Sequence, residues 1–207
     1  MDKISELTEQ FTKFPGVGPR QARRMVYYLL RARGDWVQNL TDDITLLKQR
    51  IAQCADCGRH FAPLPGDEQP YICPICSDTA REPTLMIVEK DVDLENVEKS
   101  GVVRGTYFVL GGLYAPLASD PYVYMRIRPL LALVHKRLRA NTLAEVIIAL
   151  PVNPDGEETA RALEEKLAPA LQDADCSITH LGRGLSTGSE LEYADPDTIK
   201  HAFRGRY

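Results

Sequence analysis

Cys54-Ala-Asp-Cys57 and, beyond a connection over residues 58–72, Cys73-Pro-Ile-Cys76 divide this chain into two differently patterned parts. Each CxxC pair presents two thiolates from one tight turn, and a connection of this length can bring the second pair round to close a tetrahedron. Four soft thiolates suit zinc, whose filled d shell imposes no competing geometry. Cys54, Cys57, Cys73 and Cys76 are therefore the predicted Zn²⁺ ligands. With four sulfurs the shell is full, so the metal is expected to be structural, without the open position of a catalytic site. His60 is a surplus candidate ligand. The connection carries Pro63, Pro65, Pro70, Gly66 and Asp67-Glu68 and is expected to be exposed and mobile.

A disulfide framework is the alternative for these cysteines. It conflicts with an N-terminus, Met1-Asp-Lys-Ile-Ser-Glu, that lacks a secretion pattern, and with the absence of any apolar run near the roughly 20 residues that span a bilayer. No membrane segment is expected, and the default compartment is the reducing cytoplasm, where thiols stay free for metal. The fifth cysteine, Cys176, lies in Cys176-Ser-Ile-Thr-His-Leu181 and reads as a packing residue of a buried strand.

Upstream of Cys54 the pattern is helical. Ile4, Leu7, Phe11 and Phe14 recur at helical spacing. Pro15, Gly16 and Gly18 then halt one helix, and Pro19 suits the first turn of the next. That second helix is expected to bury Ala22, Met25, Val26, Leu29 and Leu30, with Arg23, Arg24, Tyr27 and Arg31 on its other side. Asp35–Leu40 reads as a connector, and a third helix capped near Thr41 or Asp42 is expected to bury Ile44, Leu47 and Ile51. The turn Phe14-Pro-Gly-Val-Gly-Pro19 between two helices resembles the helix-hairpin-helix DNA-binding motif. Glycines without Cβ let backbone N–H groups approach a phosphate closely at a helix N-terminus. The net charge of −4 does not suggest a nucleic-acid binder, but its distribution does: from Lys13 to Arg33 there are six cationic residues and no acid. Gly16, Gly18, Arg20, Arg23 and Arg24 are the candidate DNA contacts, to phosphates rather than bases. An ordinary glycine turn with a solvated basic face is the competing interpretation.

Downstream, strands and helices alternate. Leu85-Met-Ile-Val88, Tyr107-Phe-Val-Leu110, Glu145-Val-Ile-Ile-Ala-Leu150 and Cys176–Leu181 read as strands. Helices are expected from Asp91, as cap, to Ser100, from Pro129 to Ala140, through Leu171, and near Asp197–Phe203. Such alternation implies a parallel sheet covered on both faces, with Glu145–Leu150 central. Functional groups gather at the carboxyl ends of strands in these sheets. Glu89 follows one strand and Asn153 and Asp155 another, a placement that resembles the acidic cluster of a Toprim domain. Glu89, Asp91 and Asp155 are thus candidates for a partner contact or for Mg²⁺, with Asn153 removing one charge that a metal would want. Gly184-Leu-Ser-Thr-Gly188 fits the GxSxG hydrolase pattern, but no helix is expected directly after Ser186.

Taken in order, Phe14-Pro-Gly-Val-Gly-Pro19, Cys73-Pro-Ile-Cys-Ser-Asp78, Ile87-Val-Glu-Lys-Asp91, Gly105-Thr-Tyr-Phe-Val-Leu-Gly-Gly112, Glu157-Glu-Thr-Ala160 and Gly188-Ser-Glu-Leu-Glu-Tyr-Ala-Asp195 resemble the RecR family of bacterial recombination mediators. The expected fold class is α + α/β multidomain: residues 1–53 a helix-hairpin-helix part, 54–80 a four-cysteine zinc finger, 81–175 a Toprim domain, and 176–207 a C-terminal strand, Gly-rich turn and helix. The resemblance implies a non-enzymatic DNA-repair protein that forms dimers and ring-shaped tetramers around DNA. It further implies action with RecO and RecF in loading recombinase, with hairpin and arginines on DNA, the N-terminal helices in subunit contacts, and the acidic cluster facing a partner protein. The alternative is a Mg²⁺-dependent Toprim nuclease or topoisomerase-like enzyme. The chain reads as a divergent member, with Phe108 where the family favours histidine, a short Asn153–Gly156 segment, Ser186 in place of proline and a long zinc connection. These differences bear on the Toprim surface and its partner contacts more than on the fold.

Overall fold

Asp2 opens α1, Lys3–Phe11, by accepting the Ser5 N–H at 2.9 Å, and a turn through Gly16, whose φ of +75° favours glycine, leads into α2, Pro19–Arg31. In this computed structural model the residues described are all but Met1, Pro65, residues 67–70, Ser186, Thr187, Ser189, Arg206 and Tyr207. The expectations for Pro65, Asp67-Glu68, Pro70 and Ser186 therefore lie outside the described residues. The chain forms two units, Met1–Ile51 and Ala52–Tyr207.

In the first unit α1 packs on α2, which buries Ala22 and Val26 and half-buries Met25 and Leu29. Leu30, expected inside, is 63% exposed. The expected connector Asp35–Leu40 is instead the start of one long helix, α3, Gly34–Arg50. No proline or glycine lies between Gly34 and Arg50. Asp35 sits in the first turn, where the helix dipole favours an acid, and its carboxylate also accepts from Arg33 Nε at 3.1 Å. Trp36, Leu40, Ile44 and Leu47 continue a single apolar stripe along α3. That stripe is outside, with Ile44 56% and Leu47 61% exposed, and Ile51 is half-buried. The expected burial of Ile44 and Leu47 fails because α3 exceeds the surface that two short helices can cover.

The second unit starts with a hairpin of β1, Ala52–Gln53, and β2, His60–Phe61, followed by the short α4, Pro74–Ser77. Then come β3, Thr84–Val88, α5, Asp91–Ser100, β4, Thr106–Val109, α6, Ile127–Arg139, β5, Glu145–Ala149, α7, Pro154–Leu171, and β6, Ser177–His180. A 3₁₀ turn, Leu191–Tyr193, precedes α8, Pro196–Arg204. The four strands β3 to β6 form one parallel sheet ordered β4-β3-β5-β6. β5 is one of its two inner strands, as its continuous apolar run suggests. β6 is an edge strand whose inner residues are only half-buried, so the Cys176–Leu181 stretch is not the buried strand expected. Helix α5 begins at Asp91 but is capped by Asp93, which accepts the Lys90 N–H at 2.9 Å; Asp91 is not the cap. Helix α6 starts two residues earlier than expected, placing Pro129 third, a position whose N–H has no helical partner in any case.

Strand alternation sorts the core into two layers. Leu85, Ile87, Phe108, Val146 and Ile148 face α6 and α7, meeting Leu130, Val134, Leu163 and Leu167. Met86, Val88, Tyr107 and Val109 face the other way, and the cysteine module covers them with Leu94 of α5. The cysteine module is thus part of the sheet's lid on that face. Phe108, one of the departures from the family pattern, is 1% exposed and belongs to the core.

Candidate functional site

The two CxxC turns bring four sulfurs together. Gly58 N–H bonds the Cys54 carbonyl at 2.9 Å and Cys76 N–H the Cys73 carbonyl at 3.0 Å, which folds each pair into a knuckle. All four Sγ atoms lie within 4.8 Å of one another, with Cys57 and Cys73 at 3.6 Å. A tetrahedron with Zn–S bonds of about 2.3 Å has edges of about 3.8 Å, so the donor set fits. None of the cysteines is in a disulfide. Hydrogen bonds from its three neighbours draw the Cys54 thiol well below its ordinary value, and Cys73 comes down to about 7. The same neighbours push Cys57 and Cys76 up. Four sulfurs this close resist holding four negative charges by themselves, and a divalent cation removes that conflict. The cluster could hold a metal ion in a closed shell. His60 is outside it, because Asp91 Oδ1 accepts the His60 N–H at 2.7 Å and Asp91 Oδ2 meets its Nδ1 at 3.1 Å.

The module is tied to the sheet edge by contacts that no sequence spacing announced. Val109 N–H donates to the Cys57 carbonyl at 2.8 Å, Arg126 Nη1 donates to the Gly58 carbonyl, and Lys136 Nζ meets Asp56 Oδ1 at 3.1 Å. Arg126 and Gly58 are 68 positions apart. Beneath the module, Arg81 pairs with Glu98 and donates to the Gly105 carbonyl at 2.8 Å. Arg81 holds the Glu98 carboxyl below the usual carboxylate range, and burial beside Glu98 pushes the Tyr107 hydroxyl up.

At the carboxyl ends of the two inner strands, Glu89 and Asp155 line one open cavity of about 600 Å³ with Gly111, Gly112, Tyr114 and Leu117. Glu89 is buried, and its Oε1 pairs with Lys90 Nζ at 2.9 Å. Asn153 is spent on its own helix, accepting the Gly156 N–H at 2.8 Å as the cap of α7. Asp91 belongs to His60. Among the described residues, only the four cysteines bring three or more metal-ligating atoms into one group.

In the first unit the turn before α2 is open. Gly18 is the N-cap with no side chain to satisfy the first turn, and Pro19 has no N–H, so the Arg20 and Gln21 amides point outward without helical partners. Arg20, Arg23 and Arg24 are all exposed around that terminus, with Arg24 reaching Gln21 Oε1 at 3.5 Å. A Cβ at Gly18, where φ is −79°, would meet nothing within 4 Å. The fold itself does not require glycine at that position.

Family models match three stretches: RecR, helix-hairpin-helix, over residues 4–47; Toprim domain, over 83–181; and RecR, C-terminal, over 184–207. The chain is 38% identical over 204 residues, 98% of its length and 93% of the relative's, to the recombination protein RecR of Chloroflexus aurantiacus. The chain belongs to the RecR family. Similar RecR relatives include that of Roseiflexus sp. (38% identical, 98% of this chain and 92% of the relative) and that of Bifidobacterium adolescentis (35%, 98% and 94%). The parallel sheet is accordingly the Toprim part of a RecR-type chain, and α1 and α2 its helix-hairpin-helix. No helix of the described residues is long and apolar enough to cross a membrane.

Proposed function

We propose that this RecR-family chain is a non-catalytic, DNA-binding recombination mediator, built as a ring-shaped homo-oligomeric clamp that works in the cytoplasm with RecO- and RecF-type partners. The observation that carries the DNA contact is the open N-terminus of α2. Two amides without helical partners, a glycine the fold does not need, and three exposed arginines fall within the cap and first two turns of α2. That combination attracts a phosphate and reads no base. The RecR relatives are named for recombination, which fits a sequence-independent grip on DNA. The four cysteines hold structural Zn²⁺. Self-association is supported by the exposed stripe of α3 and a groove of about 380 Å³ beside it, lined by Phe11, Met25, Tyr28, Leu29, Trp36 and Leu40. The Glu89 cavity faces a partner protein.

Removing one phosphate contact tests the grip. Arg20→Ala is expected to reduce the magnitude of the log–log salt dependence of DNA binding by about 0.7–0.9 and to weaken all sequences alike. An unchanged slope would sink the hairpin's role. Because Glu89 and Asp155 share a cavity, a Mg²⁺-dependent Toprim enzyme is the second possibility. DNA cleavage by the pure protein with Mg²⁺, abolished in Glu89→Gln, would establish it instead.

A further inference from the structure

Arg126 touches both the cysteine module and Gly111, a lining residue of the Glu89 cavity. Gly58 follows the first CxxC pair with φ of +73°, and a Cβ there would lie 2.3 Å from Arg126 Nη1, so the guanidinium fills the space against the Gly58 backbone. There it donates to the Gly58 carbonyl. Its other flank abuts Gly111, where a Cβ would come 3.3 Å from Arg126 Nε. The Arg126 N–H also donates to the Leu110 carbonyl at 2.9 Å, and Leu110 N–H to the Val88 carbonyl at 2.8 Å, one residue before Glu89. Gly111 N–H bonds the Glu89 carbonyl itself at 2.9 Å. Burial is the main influence on the guanidinium, opposed by the Asp91 carboxylate and the Cys57 sulfur. Asp91 in turn holds His60 at the far end of the knuckle.

Two consequences follow from these contacts. Four thiolates on one divalent ion keep net negative charge, and a part-buried guanidinium bonded to the Gly58 carbonyl, one residue after Cys57, offsets it. The same group also props the glycine rim of the Glu89 cavity. With the cysteines read as a zinc site, we propose that Arg126 is a positioning residue coupling zinc occupancy to the shape of that cavity. When zinc leaves, the knuckle releases Arg126, and the rim at Leu110–Tyr114 loosens; a partner surface at Glu89 then exists in its binding form only in the zinc-loaded protein.

The full-length protein tests this with two readouts, after its zinc content is measured: zinc release to a chromogenic chelator, and amide hydrogen exchange. Less than one zinc per chain in the wild type would overturn the zinc site and the coupling together. In the zinc-loaded wild type, stripping the metal is expected to speed exchange at residues 110–114 about tenfold or more; no change there overturns the coupling while leaving the zinc site standing. Arg126→Gln is expected to release zinc about tenfold faster, the usual scale for losing a partner of a metal ligand. It should also speed exchange at residues 110–114 with zinc still bound. Arg126→Lys, keeping the charge but not the fork, should recover part of the release rate. Lys136→Ala, which removes only the exposed anchor to Asp56, should leave residues 110–114 unchanged. Faster zinc release without faster exchange in Arg126→Gln would make Arg126 a local partner of the metal site and overturn the proposal. Should Arg126→Gln fail to fold, the wild-type stripping experiment decides by itself.

Discussion

Gly18 separates what the fold requires from what a ligand requires. Its φ is ordinary and the space around it is open, so Gly18→Ala meets no clash, and the loss of a preferred N-cap residue should lower stability by only about 1 kcal/mol or less. The added methyl group stands where a phosphate would approach the α2 amides. DNA affinity is expected to fall about tenfold, the scale of one hydrogen bond to a charged group. Equal affinity in a filter-binding titration would show that the turn does not meet DNA. Glu98 gives the second residue-scale expectation. Its folded pKa lies below the ordinary value of 4.5 because Arg81 pairs with it. A depressed carboxylate contributes stability that is present above its unfolded pKa and lost as pH falls through the folded value. Glu98→Gln should therefore lower stability near neutral pH and flatten the acid side of a melting-temperature profile below about pH 4.5. A profile parallel to the wild type would mean that the pair adds nothing.

Helix α3 is the element most at odds with a lone chain. Its apolar face at Ile44 and Leu47 was legible from the sequence, but Trp36 and Leu40 were read into a connector, and the tertiary structure puts Ile44 and Leu47 in solvent. Exposed apolar residues in a contiguous row mark an interaction surface. Leu47→Asp should leave helix content unchanged, since the position is already outside, and should shift the particle toward the single-chain mass of 23.1 kDa in light scattering. An oligomer that survives this change would place its interface elsewhere. The Glu89 strand end is the opposite case. Carboxylates after β3 and β5 could be assigned from sequence, but not their uses, because Asn153 turns to its own helix and Asp91 to a histidine 31 residues away.

For the whole molecule, loss of a metal from the cysteines is expected to be a local event. All four cysteines, and the sheet face they cover, belong to Ala52–Tyr207. Chelating the metal, or replacing Cys57 with serine, should expose Met86, Val88, Tyr107 and Val109 and lower the melting temperature of that unit by several degrees, the consequence of uncovering a core layer. Amide exchange in α1 and α2 should stay as it was. Loss of protection across residues 3–31 on chelation would show that the two units fold as one.

The sequence by itself determined the elements and their chemistry: two CxxC knuckles, a glycine turn between helices, strands alternating with helices, and acids at strand ends. These are local signals, set by periodicity, turn residues and ligand spacing, and each survives without knowledge of distant contacts. Only the tertiary structure decided that the cysteine module is a lid on the Toprim sheet rather than a free-standing finger. It alone spent Asp91 on His60, set Phe108 in the core and wedged Arg126 between Gly58 and Gly111. The physical reason is separation. Arg126 and Gly58 meet across 68 positions, through a guanidinium that reaches past the end of a sheet, and nothing in the local pattern of either residue encodes the other.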